Sequence, residues 1–137
     1  IRNTLFVSGC NHKCPECHNS KTWDFNYGYE FTKELQDKFI SKCKENFLVD
    51  GITLSGGDPM YSAKELTPFI RKYKEECPLQ DIWIYSGFTY EEILKDKDMN
   101  ELLNLCDILV DGVYKKELKD LTLQFRGSSN QRIIKIK

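Results

Sequence analysis

Three closely spaced cysteines constrain this chain more than any other feature. Three residues separate Cys10 from Cys14, and two residues separate Cys14 from Cys17. Such spacing lets a short loop bring its sulfur atoms together at one metal centre, as in zinc and iron–sulfur sites. A closed tetrahedral zinc site or a fully ligated four-iron cluster needs four protein ligands, and this loop offers three thiols. The remaining position is filled by a histidine or left open for a small molecule.

Three kinds of site are compatible with this loop. One is a structural Cys3His zinc knuckle completed by His12 or His18, and another is a [4Fe–4S] cluster with one iron open. A disulfide scaffold is disfavoured because the chain is longer than the small domains that need such cross-links. Cys43 and Cys106 also lie in apolar helical patterns, where cysteine behaves as a small hydrophobic residue. The thiols therefore favour a reducing compartment.

Length and charge limit the number of domains and the kinds of partner that this chain can have. The 137 residues suffice for one domain with a substantial core. The chain has 20 Lys and Arg against 21 Asp and Glu, which gives no basic footprint for nucleic acid or a membrane surface. Because it lacks a long apolar run and a signal-like start, we predict a soluble cytoplasmic protein. It begins at Ile1, close to a strand, so we expect an N-terminal segment to be missing.

Short β-favouring runs alternate with helical patterns along the chain. We predict a buried first strand at 4–7, further strands at 51–54, 81–85 and 107–110, and an edge-like last strand at 133–136. The first four end at a small or acidic residue followed by glycine, namely Ser8-Gly9, Ser55-Gly56, Ser86-Gly87 and Asp111-Gly112.

The helices between these strands have recognisable starts. Thr32 is a predicted N-cap, and capping boxes are predicted at 62–65 and 89–92. After Thr32, apolar residues recur at helical spacing and predict one buried stripe consisting of Leu35, Phe39, Ile40, Cys43 and Phe47.

Alternating strands and helices predict a parallel sheet of βαβ units. Right-handed crossovers would bring the four strand ends to one edge, which is the ligand edge in α/β folds. A closed eight-stranded barrel takes about 250 residues. We therefore predict an open, partial (β/α) TIM-like barrel of five or six mostly parallel strands, accessible to a large substrate.

The segment after the second strand, Ser55–Pro59, carries a second motif. Its two glycines permit positive φ angles and close approach of a ligand to the backbone, and Pro59 holds Asp58 extended. It lacks the Gly-Lys-Ser/Thr of a phosphate-binding P-loop, which argues against nucleoside triphosphate hydrolysis. Free carbonyls and a nearby carboxylate suit a cationic amino group instead.

These motifs together resemble a known enzyme family. The cysteine loop after the first strand, with residues 56–59 after the second, resembles radical S-adenosylmethionine (radical SAM) enzymes, and most closely the small activating enzymes of glycyl-radical proteins. Residues 1–10, 54–59, 109–112 and 126–131 are similar to the subgroup that activates anaerobic ribonucleotide reductases. The last stretch, Arg-Gly-Ser-Ser-Asn-Gln, favours this subgroup over pyruvate formate-lyase activators, which remain the alternative.

The resemblance implies a ligand set and a cofactor site. The iron–sulfur cluster would be held through three of its irons by Cys10, Cys14 and Cys17. The amino and carboxylate groups of S-adenosylmethionine would chelate the fourth iron. The residues implied to contact this cofactor are Glu16, Cys17, His18, Gly56, Gly57 and Asp58.

The chain departs from the family pattern in two places. Radical SAM enzymes usually have an aromatic residue just before the third cysteine, and this chain has Glu16. The narrower activating-enzyme family also normally has a strand and a Gly-Pro-Gly segment ahead of the stretch that here starts at Ile1. We therefore expect residues 1–137 to form a single radical SAM domain whose N-terminal strand is missing.

The resemblance also implies a reaction and partners. An electron from the reduced cluster would break the S–C5′ bond of S-adenosylmethionine, and the resulting 5′-deoxyadenosyl radical would abstract hydrogen from a glycine Cα in the reductase large subunit. An electron donor such as flavodoxin would reduce the cluster. No acid–base role is assigned to Asp111, Arg126 or the histidines. The competing hypotheses are a zinc-binding interaction module and a simple electron-transfer iron–sulfur protein, which would need a fourth ligand.

Overall fold

The computed structural model describes residues 1–10, 12, 24 and 28–136. They form an α/β fold built on one five-stranded sheet, in which the strands follow one another in chain order. The first four strands are parallel and the last is antiparallel to the fourth. The strands are β1 (Arg2–Val7), β2 (Gly51–Gly56), β3 (Asp81–Tyr85), β4 (Ile108–Asp111) and β5 (Arg132–Lys135).

Helices connect the parallel strands, as the alternation of patterns predicts. They are α1 (Lys33–Glu45), α2 (Ala63–Glu76), α3 (Tyr90–Leu94) and α4 (Lys97–Leu103), with short 3-10 turns at Pro59–Ser62 and Lys116–Leu118. Within the described residues the sheet is not closed, because β1 pairs only with β2 and β5 only with β4. None of the described helices has the length and apolarity needed to cross a membrane.

The hydrophobic core lies on one face of this sheet. Alternate strand residues point to that face, as the two-residue period of a strand requires. They are fully buried against the helices, and the largest contributors from β2, β3 and β4 are Ile52, Leu54, Ile82, Ile84 and Leu109. Their neighbours on the other face, such as Thr53 and Trp83, are only partly buried. One face thus stabilises the fold, and the other is more accessible.

Two predictions about burial are wrong. The first strand was expected to be buried, yet Phe6 is 62% exposed, because it lies on the face of the sheet opposite the core, toward which Leu5 and Val7 pack. The stripe predicted for the first helix is also shorter than expected. Cys43 and Ile40 are buried, but Leu35 is 42% exposed and Phe47 is 91% exposed, since α1 ends before Phe47.

All three helices begin where the sequence predicts, and two of the three predicted caps are confirmed. Thr32 accepts a hydrogen bond from the Leu35 amide at 3.2 Å, and Thr89 forms a complete capping box with Glu92. The box predicted at Ser62 is wrong, because its side chain makes no capping hydrogen bond. The chain enters α2 directly from a 3-10 turn, so Ser62 lacks the extended backbone of a capping residue.

The two capping sequences provide a matched pair of substitutions. Thr89→Ala should lower the free energy of unfolding by about 1 kcal/mol, because it removes the acceptor for the Glu92 amide. Ser62→Ala should change it by less than about 0.5 kcal/mol, since no cap is lost. Urea unfolding followed by circular dichroism measures both. Equal losses would contradict the assignment of the two caps.

A buried cluster of proton-donating groups joins α1 to α2. Burial raises the pKa of the Cys43 and Cys77 thiols and of the Tyr73 hydroxyl. Tyr73 donates a hydrogen bond to the Gln80 side chain, whose amide nitrogen donates to the Cys43 carbonyl at 2.9 Å. All three groups are therefore neutral in the folded protein at neutral pH.

The neutral Cys43, Cys77 and Tyr73 side chains make the stability of the fold depend on pH in the alkaline range. A pKa that is higher in the folded state than in the unfolded state gives stability that is present below the unfolded pKa and lost as pH rises. We therefore expect the urea midpoint, measured on the chain without an iron–sulfur cluster, to decrease as the pH rises above about 9. Tyr73→Phe should reduce the part of that fall that lies above about pH 10, where an unfolded tyrosine ionises, because phenylalanine has no proton to lose. A fall of the same steepness above that pH in both chains would argue against Tyr73 as one of its sources.

Candidate functional site

The carboxyl ends of the parallel strands meet at one edge of the sheet, as the sequence predicts. The glycines that close β1, β2 and β4 have left-handed backbones, with φ of 105° at Gly9, 102° at Gly56 and 93° at Gly112. A side chain on Gly56 would place its Cβ 2.4 Å from the Val7 carbonyl oxygen. Glycine is required there because the ends of β1 and β2 are in direct backbone contact.

Two backbone hydrogen bonds attach the start of the cysteine loop to the double-glycine strip. The Gly57 amide donates to the Val7 carbonyl at 2.6 Å, and the Asp58 amide donates to the Gly9 carbonyl at 2.8 Å. Cys10 follows directly and is 8% exposed. The first predicted thiolate ligand therefore lies beside the strip predicted to contact the cofactor.

Asp58 connects this strip to neighbouring segments through a buried carboxylate that is 1% exposed. Its backbone is extended, as Pro59 predicts. Three groups donate to Oδ2 of this carboxylate, and the Met60 amide donates to Oδ1 at 3.0 Å. The donors to Oδ2 are His12 Nε2 at 2.7 Å, the Gly87 amide at 2.9 Å and Ser86 Oγ at 3.0 Å.

His12 is the one described residue between Cys10 and Cys14. Its ring lies 4.7 Å from the Phe88 ring in an edge contact and 5.6 Å from the Tyr61 ring, measured between centroids. The sequence suggested His12 as a fourth zinc ligand. In the structure its Nε2 atom is hydrogen-bonded to Asp58.

Several predicted site residues lie outside the described part of the chain, namely Cys14, Glu16, Cys17 and His18. Their roles remain predictions. Within residues 1–10, 12, 24 and 28–136, no three metal-binding side chains form a group. That result is expected when only Cys10 of the three thiols is described. No disulfide joins any two of the described cysteines, which are Cys10, Cys43, Cys77 and Cys106.

The end of β4 carries a second buried carboxylate, Asp111, which is 1% exposed. Its Oδ1 accepts from Arg132 Nε at 3.1 Å and from the Arg132 amide at 3.2 Å, and its Oδ2 accepts from the Tyr90 amide at 2.8 Å. Arg132 also pairs with Glu91, and this hydrogen bond lowers the pKa of the Glu91 carboxyl. Asp111 therefore links β4, β5 and the start of α3.

The stretch 126–131 forms a hydrogen-bonded loop beside the end of β4. Gln131 Oε1 accepts from the Gly127 amide at 2.9 Å, and Gln131 Nε2 donates to the Gly112 carbonyl at 3.0 Å. Asn130 Nδ2 donates to the Val113 carbonyl at 2.8 Å. The side chains of Asn130 and Gln131 contribute to a turn.

Asp111 and Glu91 allow the buried and exposed ion pairs to be compared. Asp111→Ala should lower the free energy of unfolding by about 2 kcal/mol, because it leaves the backbone amides of Tyr90 and Arg132 without their acceptor, while the half-exposed guanidinium keeps Glu91. Glu91→Ala should cost clearly less, because solvent screens the pair it removes. Thermal unfolding of the two variants tests the difference, and equal losses would contradict the structural role of Asp111.

The fold and this edge define a class: an α/β protein in which the segment predicted to bind a metal starts, at Cys10, from the carboxyl edge of a parallel sheet. A family model described as a 4Fe-4S single cluster domain matches residues 1–134. The chain is 42% identical over 133 residues to a protein of Salmonella typhi named anaerobic ribonucleoside-triphosphate reductase-activating protein, covering 95% of this chain and 85% of that protein.

Relatives with the same name occur in other organisms. The Vibrio cholerae protein is 42% identical over 135 residues, covering 96% of this chain and 86% of its own length. The protein of Enterobacteria phage T4 is 37% identical over 134 residues, covering 96% and 82%. The chain therefore belongs to the family of anaerobic ribonucleoside-triphosphate reductase-activating proteins.

Proposed function

We propose that this chain is the activating enzyme of an anaerobic ribonucleoside-triphosphate reductase, and that it works as a radical SAM enzyme. The observation that carries the proposal is family membership across nearly the whole chain, with Cys10 adjoining the Gly56-Gly57 strip. Residues 1–137 then form a single radical SAM domain with an open, partial (β/α) barrel. The five-stranded sheet, four strands of which are parallel, is consistent with that core.

The cluster ligands in this proposal are Cys10, Cys14 and Cys17. Thiolates are the usual ligands of iron–sulfur clusters, and Cys10 lies where α/β folds bind their ligands. Three thiolates leave one iron to the amino and carboxylate groups of S-adenosylmethionine. His12 is not needed as a ligand in this arrangement, which agrees with its hydrogen bond to Asp58.

In this proposal Glu16, Cys17 and His18 line the site of S-adenosylmethionine, and the amino group of this cofactor binds the strip Gly56–Asp58. The Asp58 carboxylate already accepts hydrogen bonds from four protein donors. The backbone carbonyl of Asp58 accepts another from the Tyr61 amide at 3.1 Å. We therefore expect the carbonyl groups of Gly56 and Gly57 to make the direct contacts. Glycine suits this role because it has no side chain to keep the ligand from the backbone.

When bound, the cluster and S-adenosylmethionine supply a one-electron cleavage whose organic radical takes a hydrogen atom from a glycine Cα. The protein has to bind and orient these groups, and the reaction needs no general acid or base. The two buried carboxylates described at this edge, Asp58 and Asp111, both accept hydrogen bonds from protein groups. Their engagement supports a structural use of both carboxylates.

The partners in this proposal are the reductase large subunit and an electron donor such as flavodoxin, in the cytoplasm. A glycine within a folded protein is a large substrate, so its activator needs an accessible site. The sheet is open within the described residues, and its face opposite the core is only partly buried. No nucleic acid or membrane partner is proposed, in keeping with the net charge of −1.

Electron paramagnetic resonance (EPR) under reducing, oxygen-free conditions tests the proposal. The reconstituted chain, S-adenosylmethionine and an anaerobic ribonucleotide reductase should together give a glycyl radical signal. Cys14→Ala should abolish both the signal and cofactor cleavage, because the cluster loses a ligand. Cys43→Ala is the matched control and should retain both, since Cys43 is a buried core residue of α1.

Other outcomes of this experiment identify the alternatives. A radical formed on pyruvate formate-lyase instead of the reductase would assign the chain to the other subgroup. A chain that binds zinc and shows no iron–sulfur absorption would be an interaction module. A cluster whose reduced EPR spectrum ignores S-adenosylmethionine would indicate electron transfer alone.

A further inference from the structure

His12 from the cysteine loop is inserted between the ends of β2 and β3. Its Nε2 atom lies 2.7 Å from Asp58 Oδ2, and its side chain is 13% exposed. A Cβ on Gly87 would lie 2.4 Å from His12 Cδ2 and 2.6 Å from Nε2. The absence of a side chain at Gly87 therefore creates the space that the imidazole ring occupies.

The acceptor of this contact is itself fixed from several directions. Oδ2 of Asp58 also accepts from Ser86 Oγ and the Gly87 amide, both at the end of β3. Oδ1 accepts from Met60 in the turn after β2. Because the carboxylate is held by these groups, a side chain that binds it is held at a defined position relative to the glycine strip.

We propose that His12 is a positioning residue that anchors the cysteine loop to the strip Gly56–Asp58. This inference rests on the proposed function. In this role His12 affects the affinity for S-adenosylmethionine and not the retention of the iron–sulfur cluster. In the proposed function the cofactor would contact both the open iron and the strip, so its affinity would depend on how the loop and the strip are placed relative to each other. The cluster depends on the three thiolates, which remain present without the anchor.

Two conservative replacements separate the hydrogen bond from the imidazole ring. Glutamine carries an Nε2 donor the same number of bonds from Cα as His12 Nε2, so His12→Gln can preserve the contact to Asp58. His12→Asn is one methylene shorter and cannot reach the same oxygen without moving the loop. If the hydrogen bond positions the loop, the two variants should behave differently.

Gly87→Ala tests the same contact without changing either partner. The backbone of Gly87 is outside the left-handed range, so alanine is conformationally allowed there. Its methyl group would occupy the space of the imidazole ring and displace it. Gly87→Ala should therefore resemble His12→Asn.

The test is a titration of S-adenosylmethionine against the EPR spectrum of the reduced cluster, with iron content measured for each chain. His12→Asn and Gly87→Ala should need roughly 10-fold more cofactor for half of the spectral change, as is typical when a group supporting a metal site is lost. Their iron content and cofactor-free spectrum should match those of the unsubstituted chain. His12→Gln should stay within about threefold of it.

Ile82→Val controls for general destabilisation. Ile82 is fully buried in β3 on the core face of the sheet. This substitution should lower the unfolding midpoint of the chain without its iron–sulfur cluster and leave the titration with S-adenosylmethionine unchanged. A titration shift of equal size in Ile82→Val would overturn the inference, because the shift would then reflect stability.

Two further results would overturn the positioning role while the proposed function stands. One is loss of iron in His12→Asn, which would make His12 part of the cluster's own attachment. The other is an unchanged titration in both His12→Asn and Gly87→Ala. If the spectrum of the unsubstituted chain does not respond to S-adenosylmethionine, the proposed function fails and the inference fails with it.

Discussion

The arrangement of this site depends on the buried carboxylate of Asp58. One side chain receives hydrogen bonds from the cysteine loop, from the end of β3 and from the turn after β2. Removing such a charge from water is costly unless its oxygen atoms are fully hydrogen-bonded, so the surrounding groups must keep their places. The need to satisfy one carboxylate thus fixes three segments that are distant in sequence.

The parallel sheet explains why these segments meet. β2 and β3 run in the same direction, so their carboxyl ends and the loops after them lie at the same edge. Gly56 allows the end of β1 to approach, and Gly87 allows His12 to approach. Glycines after the strands therefore shape the edge by leaving space as much as by adopting unusual backbone angles.

The sequence predicted the architecture well because local patterns determine it. Strand and helix order, the capping box at Thr89 and the extended Asp58 follow from periodicity, capping chemistry and proline geometry. Exposure was predicted less well, because a short apolar run such as 4–7 does not reveal that one of its residues, Phe6, faces away from the core. The cap at Ser62 failed because a 3-10 turn already precedes α2.

The contacts within the site could not be predicted from the sequence. The pair formed by His12 and Asp58 joins residues far apart in the chain, and so does the pair formed by Asp111 and Arg132. No spacing rule links such residues, because the sheet topology alone brings them together. Candidate residue types were recognisable at 10–18 and 56–58, but their partners became visible only in the folded chain.

The reversed direction of β5 has a consequence for the chemistry of this edge. A fifth parallel strand would end there, but β5 begins there, and its first residue, Arg132, binds Asp111, the last residue of β4. The permanent positive charge of Arg132 therefore lies at the carboxyl edge of the parallel strands, where Asp111 and Glu91 neutralise it. The antiparallel pairing of β4 with β5 thus sets the electrostatic balance where β4 ends.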